Sequence, residues 1–466
     1  MPLRLFALGP RSAACALVVI AGVAGGGAAA NAPGNATATA APLPVADSAH
    51  SSAEWLSRLP DGEEKRRFIL DCTGCHLFDA QIARPGGRPR SESEWAAAVS
   101  RMLGFAGAST GFPVIASARD AQATAAWLTA SLRDAPETRG EGKTASRSEV
   151  TEFPMPMPND LPHDVQVDAE GKVVITGMFS HRMWVLDPSS GVMRDVAIPV
   201  DGANPRAVEL APNGDWWVVL GAPNKVARYS PALELWKTHD VGVYAHSVAV
   251  APDGSAWFNG HFTKAPELLG RIDPASGEVR KVTLPPHPTL GADPGGPIPY
   301  EVRAAPDGRV WMSELQGNRL VVHDPATGAN DTFELPMPYG GPRRHDVAAD
   351  GVVWVPAYPA NTLLQLTPAT RRWESHVLPV RDAVPYVARV HPRTGRVWVG
   401  TSAADAVLEF DPARRAWTTH ALPSRGAMVR HLAFDPRSDD VWVAYGASPG
   451  IAARVARIRA ATPAAR

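Results

Sequence analysis

A strand–turn–strand unit recurs seven times between residues 148 and 460, at intervals of about 40 to 54 residues. Each unit opens on a short apolar strand, such as Pro162-His163-Asp164-Val165 or Ala245-His246-Ser247-Val248. In most units a glycine turn follows, at Gly171, Gly214, Gly254, Gly308, Gly351 and Gly395. The next strand carries tryptophan, at Trp217, Trp257, Trp311, Trp354, Trp398 and Trp442, with Val174 in the first unit. A third strand often runs into Asp-Pro, and a fourth often ends in Leu-Pro or Ile-Pro. No single unit can bury its own apolar face, so the copies must stack; short strands at this period predict a seven-bladed β-propeller with four strands per blade. The 45 prolines and 40 glycines agree with many strands joined by tight turns.

The ends of the repeat predict how the ring closes. The seventh unit, from His431 through Trp442 to Arg459, holds three strands and lacks a fourth. Residues 149–156, Glu-Val-Thr-Glu-Phe-Pro-Met-Pro, resemble the fourth strand of unit four, Asp-Thr-Phe-Glu-Leu-Pro at 331–336. The N-terminal end of the propeller is therefore expected to complete the last blade and cover its open edge.

Aligning the units places His163, Arg206, His246, Tyr300, His345, Tyr386 and His431 at the starts of the innermost strands. None is aliphatic. A polar ring at one channel mouth is expected, with carboxylates from Asp164, Glu301 and Asp346 and positive charge from Arg344 and Arg430. Such a ring either binds a small-molecule substrate or only solvates the channel.

Ahead of the repeat the pattern is different. Residues 1–30 read as a secretory signal, with Arg4 and Arg11 before an apolar run from Ala13 to Val23 and small residues through Ala30. Residues 31–50 read as a flexible leader and 136–147 as a polar linker. Between them, 51–135 is predicted to be helical, with helices over Glu63–Asp71, Glu92–Leu103 and Asp120–Leu132. The fold class expected is thus multidomain, a small all-α domain followed by the all-β propeller.

Cys72-Thr-Gly-Cys75-His76 carries the chemistry of this helical segment. Two thiols at this spacing followed at once by histidine read as a covalent attachment site for haem c, with His76 as the proximal iron ligand. Loss of the signal would remove Cys15, leaving these two cysteines and no thiol for a zinc site or a further disulfide. Met102 is the sole methionine between residues 2 and 154 and stands as candidate sixth ligand. The alternatives are a core role for Met102 on its helical stripe, or His50 as ligand. Arg84, Arg88 and Arg90 lie between motif and ligand helix, as propionate partners or as solvated charge. A net charge of −1 excludes a nucleic-acid partner, and no basic block marks a membrane surface, so no stable membrane insertion is expected.

Two resemblances extend this reading. A helix running into Cys-x-x-Cys-His, a middle helix and a closing helix resemble a class I cytochrome c domain over about 85 residues. The stretch Trp95-x-x-x-Val99-x-Arg101-Met102 is similar to one in cytochrome domains fused to periplasmic dehydrogenases, where the methionine ligates iron. Residues 149–459 resemble the virginiamycin B lyase (streptogramin lyase) propellers, most closely at Trp311-Met-Ser-Glu-Leu-Gln-Gly-Asn-Arg-Leu320. That resemblance implies a divalent metal such as magnesium held by Glu314 and a histidine base two positions on. Gln316 stands there instead, and glutamine is no general base at neutral pH. His345, His431 or His261 would have to substitute.

Three functions follow from these residues. The first is an exported, periplasmic c-type cytochrome, exchanging one electron with a periplasmic donor or acceptor, whose propeller recognises or oxidises a substrate as a haem-linked oxidoreductase. The second is a metal-dependent lyase with an accessory cytochrome. The third is a non-catalytic propeller that docks the cytochrome to a redox partner.

Overall fold

The computed structural model describes residues 50–105, 119–133, 148–261, 267–290, 296–446 and 451–459. The expected signal, nearly all of the leader and the linker lie outside these residues. Seven four-stranded antiparallel sheets form the propeller. The first six blades run in chain order, with innermost strands Pro162–Val167, Pro205–Leu210, Val248–Val250, Pro299–Ala304, Asp346–Val347 and Pro385–Val390. The seventh contains Leu432–Phe434, Val441–Tyr445, Arg454–Arg459 and, as its outer strand, Glu149–Pro154.

The closure has the register that the sequence match implied. Glu149–Pro154 pairs with Arg454–Arg459 over six residues, from Glu149 opposite Arg459 to Pro154 opposite Arg454. Phe153 then lies 5.7 Å from Trp442, as Phe333 lies 5.4 Å from Trp311 in blade four. The Glu152 carboxylate accepts from the Tyr445 hydroxyl and from Ser424 N at 3.0 Å and Oγ at 2.9 Å. The first and last strands of the ring are thus held by a ladder, an aromatic pair and a half-buried carboxylate.

Local chemistry explains the repeat. The tryptophans of the second strands are nearly inaccessible, Trp311 and Trp442 at 1%, and their indoles wedge between neighbouring sheets. The turn before Trp311 needs Gly308 at φ +86°, a conformation L side chains rarely adopt. The turn after the same strand places Asn318 at φ +54°. Its side chain donates to Met337 O at 2.8 Å and accepts from Gly340 N at 2.7 Å, so one residue shapes a hairpin and ties down the chain entering the next blade.

The segment before the propeller forms five α-helices among the described residues: α1 Ser52–Leu56, α2 Glu63–Cys72, α3 Ala80–Ala83, α4 Glu92–Phe105 and α5 Ala121–Leu132. Asp120 caps α5 by accepting from Ala123 N at 2.8 Å. Phe68, Phe78, Trp95 and Trp127 meet at ring separations of 5.3 to 6.3 Å. Arg119, itself buried, bridges α2 through Asp71 and Glu64 at 2.8 Å each.

These helices do not stand apart from the propeller. Their apolar core continues without a break into Ile298, Tyr300, Leu315, Tyr358, Val384, Tyr386, Ala403 and Met428. Polar ties reinforce it: Ala53 N donates to Ala403 O at 2.9 Å, and Lys65, 3% exposed, pairs with Asp382 at 2.8 Å. Leu70 on α2 lies so close to Gly341 that a Cβ there would come within 2.7 Å of it. The propeller residues involved come from blades four to seven, at the ends of the strands where the polar ring begins. The helical segment therefore caps one mouth of the channel. None of the helices among the described residues is long and apolar enough to cross a membrane.

Candidate functional site at the capped channel mouth

The cap brings the Cys-x-x-Cys-His segment directly against the propeller. The Tyr358 hydroxyl donates to Thr73 O at 2.9 Å, and Thr73 Oγ1 bonds Ile69 O at 2.8 Å, closing the end of α2. Arg343 stands beneath Gly74; a Cβ on that glycine would lie 2.8 Å from Arg343 Nη2. Arg430 donates to Cys75 O at 3.4 Å. Loops of blades five and seven thus hold the peptide from Thr73 to Cys75.

The expected polar ring is present but is not solvated. His163, His246, Tyr300, His345, Tyr386 and His431 are each 3% exposed or less, under the helical cap. His246 lies 4.0 Å from Tyr300 and 4.6 Å from His261, ring to ring. The Tyr300 and Tyr386 hydroxyls share a short hydrogen bond. The Arg343 guanidinium sits within 5 Å of the Tyr300, Tyr358 and Tyr386 rings, at 4.9, 3.8 and 4.5 Å, and donates to Tyr300 Oη at 2.5 Å.

Burial sets the protonation of the ring histidines. It holds His163, His246 and His261 well below the usual imidazole range, reinforced by nearby arginines, and lowers His345 to about 3. All four are neutral at neutral pH. For Tyr386 burial acts in the opposite sense, toward a higher pKa. The guanidinium groups of Arg343, Arg430, Arg344 and Arg206 outweigh it and hold Tyr386 below the usual phenol value.

The residues expected to carry lyase chemistry are not assembled. Glu314 is fully buried and bonds Arg319 Nε at 2.7 Å. Glu267 lies against it, its carboxyl pushed up to about 9 by burial and by the charge of Glu314. Arg319 thus occupies one Glu314 oxygen, and no group of three His, Cys, Asp or Glu able to hold a metal occurs among the described residues. Gln316 reaches away to Asp71 of the cap at 3.4 Å. His431 has both nitrogens engaged, Nδ1 with Val165 O at 2.9 Å and Nε2 with Arg389 at 3.1 Å. His261 Nδ1 meets Pro299 O at 2.6 Å. No hydrogen bond or ion pair among the described residues joins any two of Glu314, His345 and His431.

The Cys-x-x-Cys-His segment is differently arranged. Cys72 and Cys75 are not joined to each other as a disulfide. Burial pushes the Cys72 thiol up to about 12. His76 Nδ1 lies 2.9 Å from Leu77 O, which fixes the tautomer that leaves the Nε2 lone pair for a metal. These residues fit a covalently held haem. Met102 is half-buried on α4 but is not among the residues of the shared core, which takes Trp95, Ala96, Val99 and Leu103 from that helix. His50 packs edge-on against Trp55 at 6.1 Å. Arg88 pairs with Glu94 at 2.9 Å, and Arg90 donates to Ile82 O at 2.7 Å over the Trp95 ring, so both have local partners.

The sequence profile of the virginiamycin B lyase family matches residues 191–462, more than half of the chain. The chain belongs to the virginiamycin B lyase family. Among solved structures it is similar to virginiamycin B lyase from Staphylococcus aureus, with 17% identity and a TM-score of 0.58 over 67% of this chain and 99% of the lyase. A streptogramin B lyase gives 17% identity and 0.59, over 67% and 98%. Hydrazine synthase from Kuenenia stuttgartiensis gives 16% and 0.52, over 68% and 98%. At these identities the likeness shows the fold. No curated protein matches the chain. Within this family fold, the residues of the mouth that sequence reasoning missed are Arg343 and Tyr358. Their signal was the run Pro342-Arg343-Arg344-His345 just before a ring histidine, and a tyrosine in the hairpin loop of the same blade.

Proposed function

We propose that the chain is an exported c-type cytochrome that moves single electrons, with its family propeller serving as the recognition module beneath the haem site. The observation that carries this reading is the seating of Cys72-Thr-Gly-Cys75-His76 on the channel mouth, held by Tyr358 and Arg430. A haem held by the two cysteines would supply one-electron redox chemistry at this position. Cys72 and Cys75 would fix it, His76 would present Nε2 to the iron, and Met102 would be the sixth ligand. The cap excludes bulk water from the ring, while Tyr358 and Arg343 set the position of the attachment peptide. A substrate or partner recognised by the propeller would then lie next to the electron carrier. Exported, periplasmic residence accords with the apolar N-terminal run and with the Cys-x-x-Cys-His motif.

The test is purification from a host that attaches haem c, followed by mass spectrometry and an alkaline pyridine spectrum. A covalent haem that disappears in Cys72→Ser/Cys75→Ser is the expected result. A colourless wild-type chain that opens a cyclic depsipeptide with magnesium would overturn it in favour of the lyase. A haem-loaded chain with no substrate of its own that co-purifies with a redox enzyme would reduce the propeller to a docking module.

A further inference from the structure

The channel interior divides into two layers of charge. The deeper layer is paired. Arg344 meets Asp164 at 2.9 Å, Arg389 meets Glu301 at 2.6 Å, and Arg303 meets Asp346 at 3.0 Å and Glu209 at 3.5 Å. The upper layer, where Arg343 lies under Gly74 and Arg430 meets Cys75 O, is not. Among the described residues no carboxylate lies within ion-pair distance of Arg206, Arg343 or Arg430, whose hydrogen bonds go to Tyr244, Tyr300 and a backbone carbonyl. Each keeps a buried N–H without an acceptor: Arg206 Nε, Arg343 Nε and Arg430 Nη1. His246, wholly inaccessible among them, has no partner at either ring nitrogen.

Arg343 and Arg430 are buried and Arg206 is half-buried, and cations out of water with no counter-charge are costly to hold. Against the effect of burial, Arg343, Arg430, Arg344 and Arg206 together hold Tyr386 below the usual phenol value. A native structure tolerates such a concentration of unmet donors where something else satisfies them.

We infer that Arg206, Arg343 and Arg430, with His246, bind a small anion bearing a carboxylate or oxyanion group at the capped mouth of the channel. The inference goes beyond the cytochrome reading, because the donors belong to the propeller and do not require haem. The carboxylate can come from a free solute or from a propionate of haem held at Cys72 and Cys75. Both present the planar or tetrahedral oxygens that guanidinium forks bind best.

The experiment titrates acetate and inorganic sulfate at millimolar concentration into the full-length chain as purified, beside Arg206→Gln and Arg343→Gln. Saturable binding in calorimetry, weakened about tenfold or more in both variants, establishes a free-anion site. It should be accompanied by a rise in the pH at which Tyr386 ionises, read as the tyrosinate absorption lost in Tyr386→Phe. Absence of binding together with a shift of the haem reduction potential in Arg343→Gln assigns the anion to a propionate. No binding, an unshifted potential and variants that melt at or above wild type would overturn the inference. Arg206→Lys keeps the charge and should retain binding if the glutamine variants do not fold. The calorimetric arm repeated on Cys72→Ser/Cys75→Ser separates failure of this site from failure of haem attachment.

Discussion

Tyr358 donates its hydroxyl hydrogen to the carbonyl of Thr73 at 2.9 Å. One residue sits in a propeller loop and the other between Cys72 and Cys75, 285 positions apart. The bond lies in the apolar core shared by helices and propeller, so both partners are shielded from water.

Tyr358→Phe should therefore cost about 1–2 kcal/mol, the worth of a buried hydrogen bond whose acceptor is left unmet. The loss should appear as faster hydrogen exchange in α2, with the blades unchanged. Equal loss of protection in helices and blades would show that the two open together and that the bond is not a local clamp.

Deletion of residues 148–154 removes the outer strand of blade seven and exposes the edge of Arg454–Arg459. An unpaired edge is a template for association. The variant should melt at lower temperature and elute as larger species, and Glu152→Ala should show a milder form of the same defect by removing the acceptor of Tyr445 and Ser424. A monomeric deletion variant of unchanged melting temperature would refute the closure.

Glu267 gives a pH signature. Its carboxyl titrates at about 9 in the folded chain, raised by burial and by Glu314, against about 4.3 when unfolded. The folded state thus holds a proton that the unfolded state has released. Its contribution to stability is complete below pH about 4 and is lost as pH rises toward about 9. Glu267→Gln, neutral throughout, should flatten that alkaline decline and stabilise the protein by about 1–3 kcal/mol at pH 8, measured by denaturant unfolding. A parallel decline in both proteins would show that the carboxyl is not the titrating group.

Met102→Leu keeps volume and removes the thioether. In haem-loaded protein it should abolish the weak charge-transfer band of methionine-ligated ferric haem and lower the reduction potential. Retention of both would return Met102 to an ordinary place on α4, with His50 the next residue to substitute.

Trp311, 1% exposed against Phe333, represents the repeat itself. Trp311→Ala should cost about 3–5 kcal/mol in equilibrium unfolding, while Val192, exposed in the hairpin loop of blade one, should accept serine with little change.

The blades were legible because each is local. Gly308, Trp311 and Asn318 lie within eleven residues and fix a turn, a core wedge and a hairpin by short-range sterics and hydrogen bonds. The closure was legible for a related reason: the strand at 149–154 carries the pattern of a fourth strand, and one blade lacked it. The helices of the first segment showed in their apolar stripes.

The site was only half legible. The periodicity placed His246, Tyr300 and Tyr386 on the ring, and the motif identified Cys72, Cys75 and His76. Neither indicated that these two sets would meet. Glu314 was expected to hold a metal through the resemblance to the lyase propellers, yet Arg319, five residues on, bonds its carboxylate, and Glu267 from the neighbouring blade lies against it with its carboxyl pushed up by burial and by the charge of Glu314.

Sequence by itself determined the sevenfold repeat and its closure, because each depends on residues close in the chain or repeated along it. Tertiary structure alone decided that α2 lies across the channel mouth, that Tyr358 and Arg343 hold the motif, and that Arg343 and Arg430 are buried there without a carboxylate partner. Those contacts join residues hundreds of positions apart, and they arise from one apolar surface on the helices finding another on blades four to seven, which leaves no period or motif in the chain.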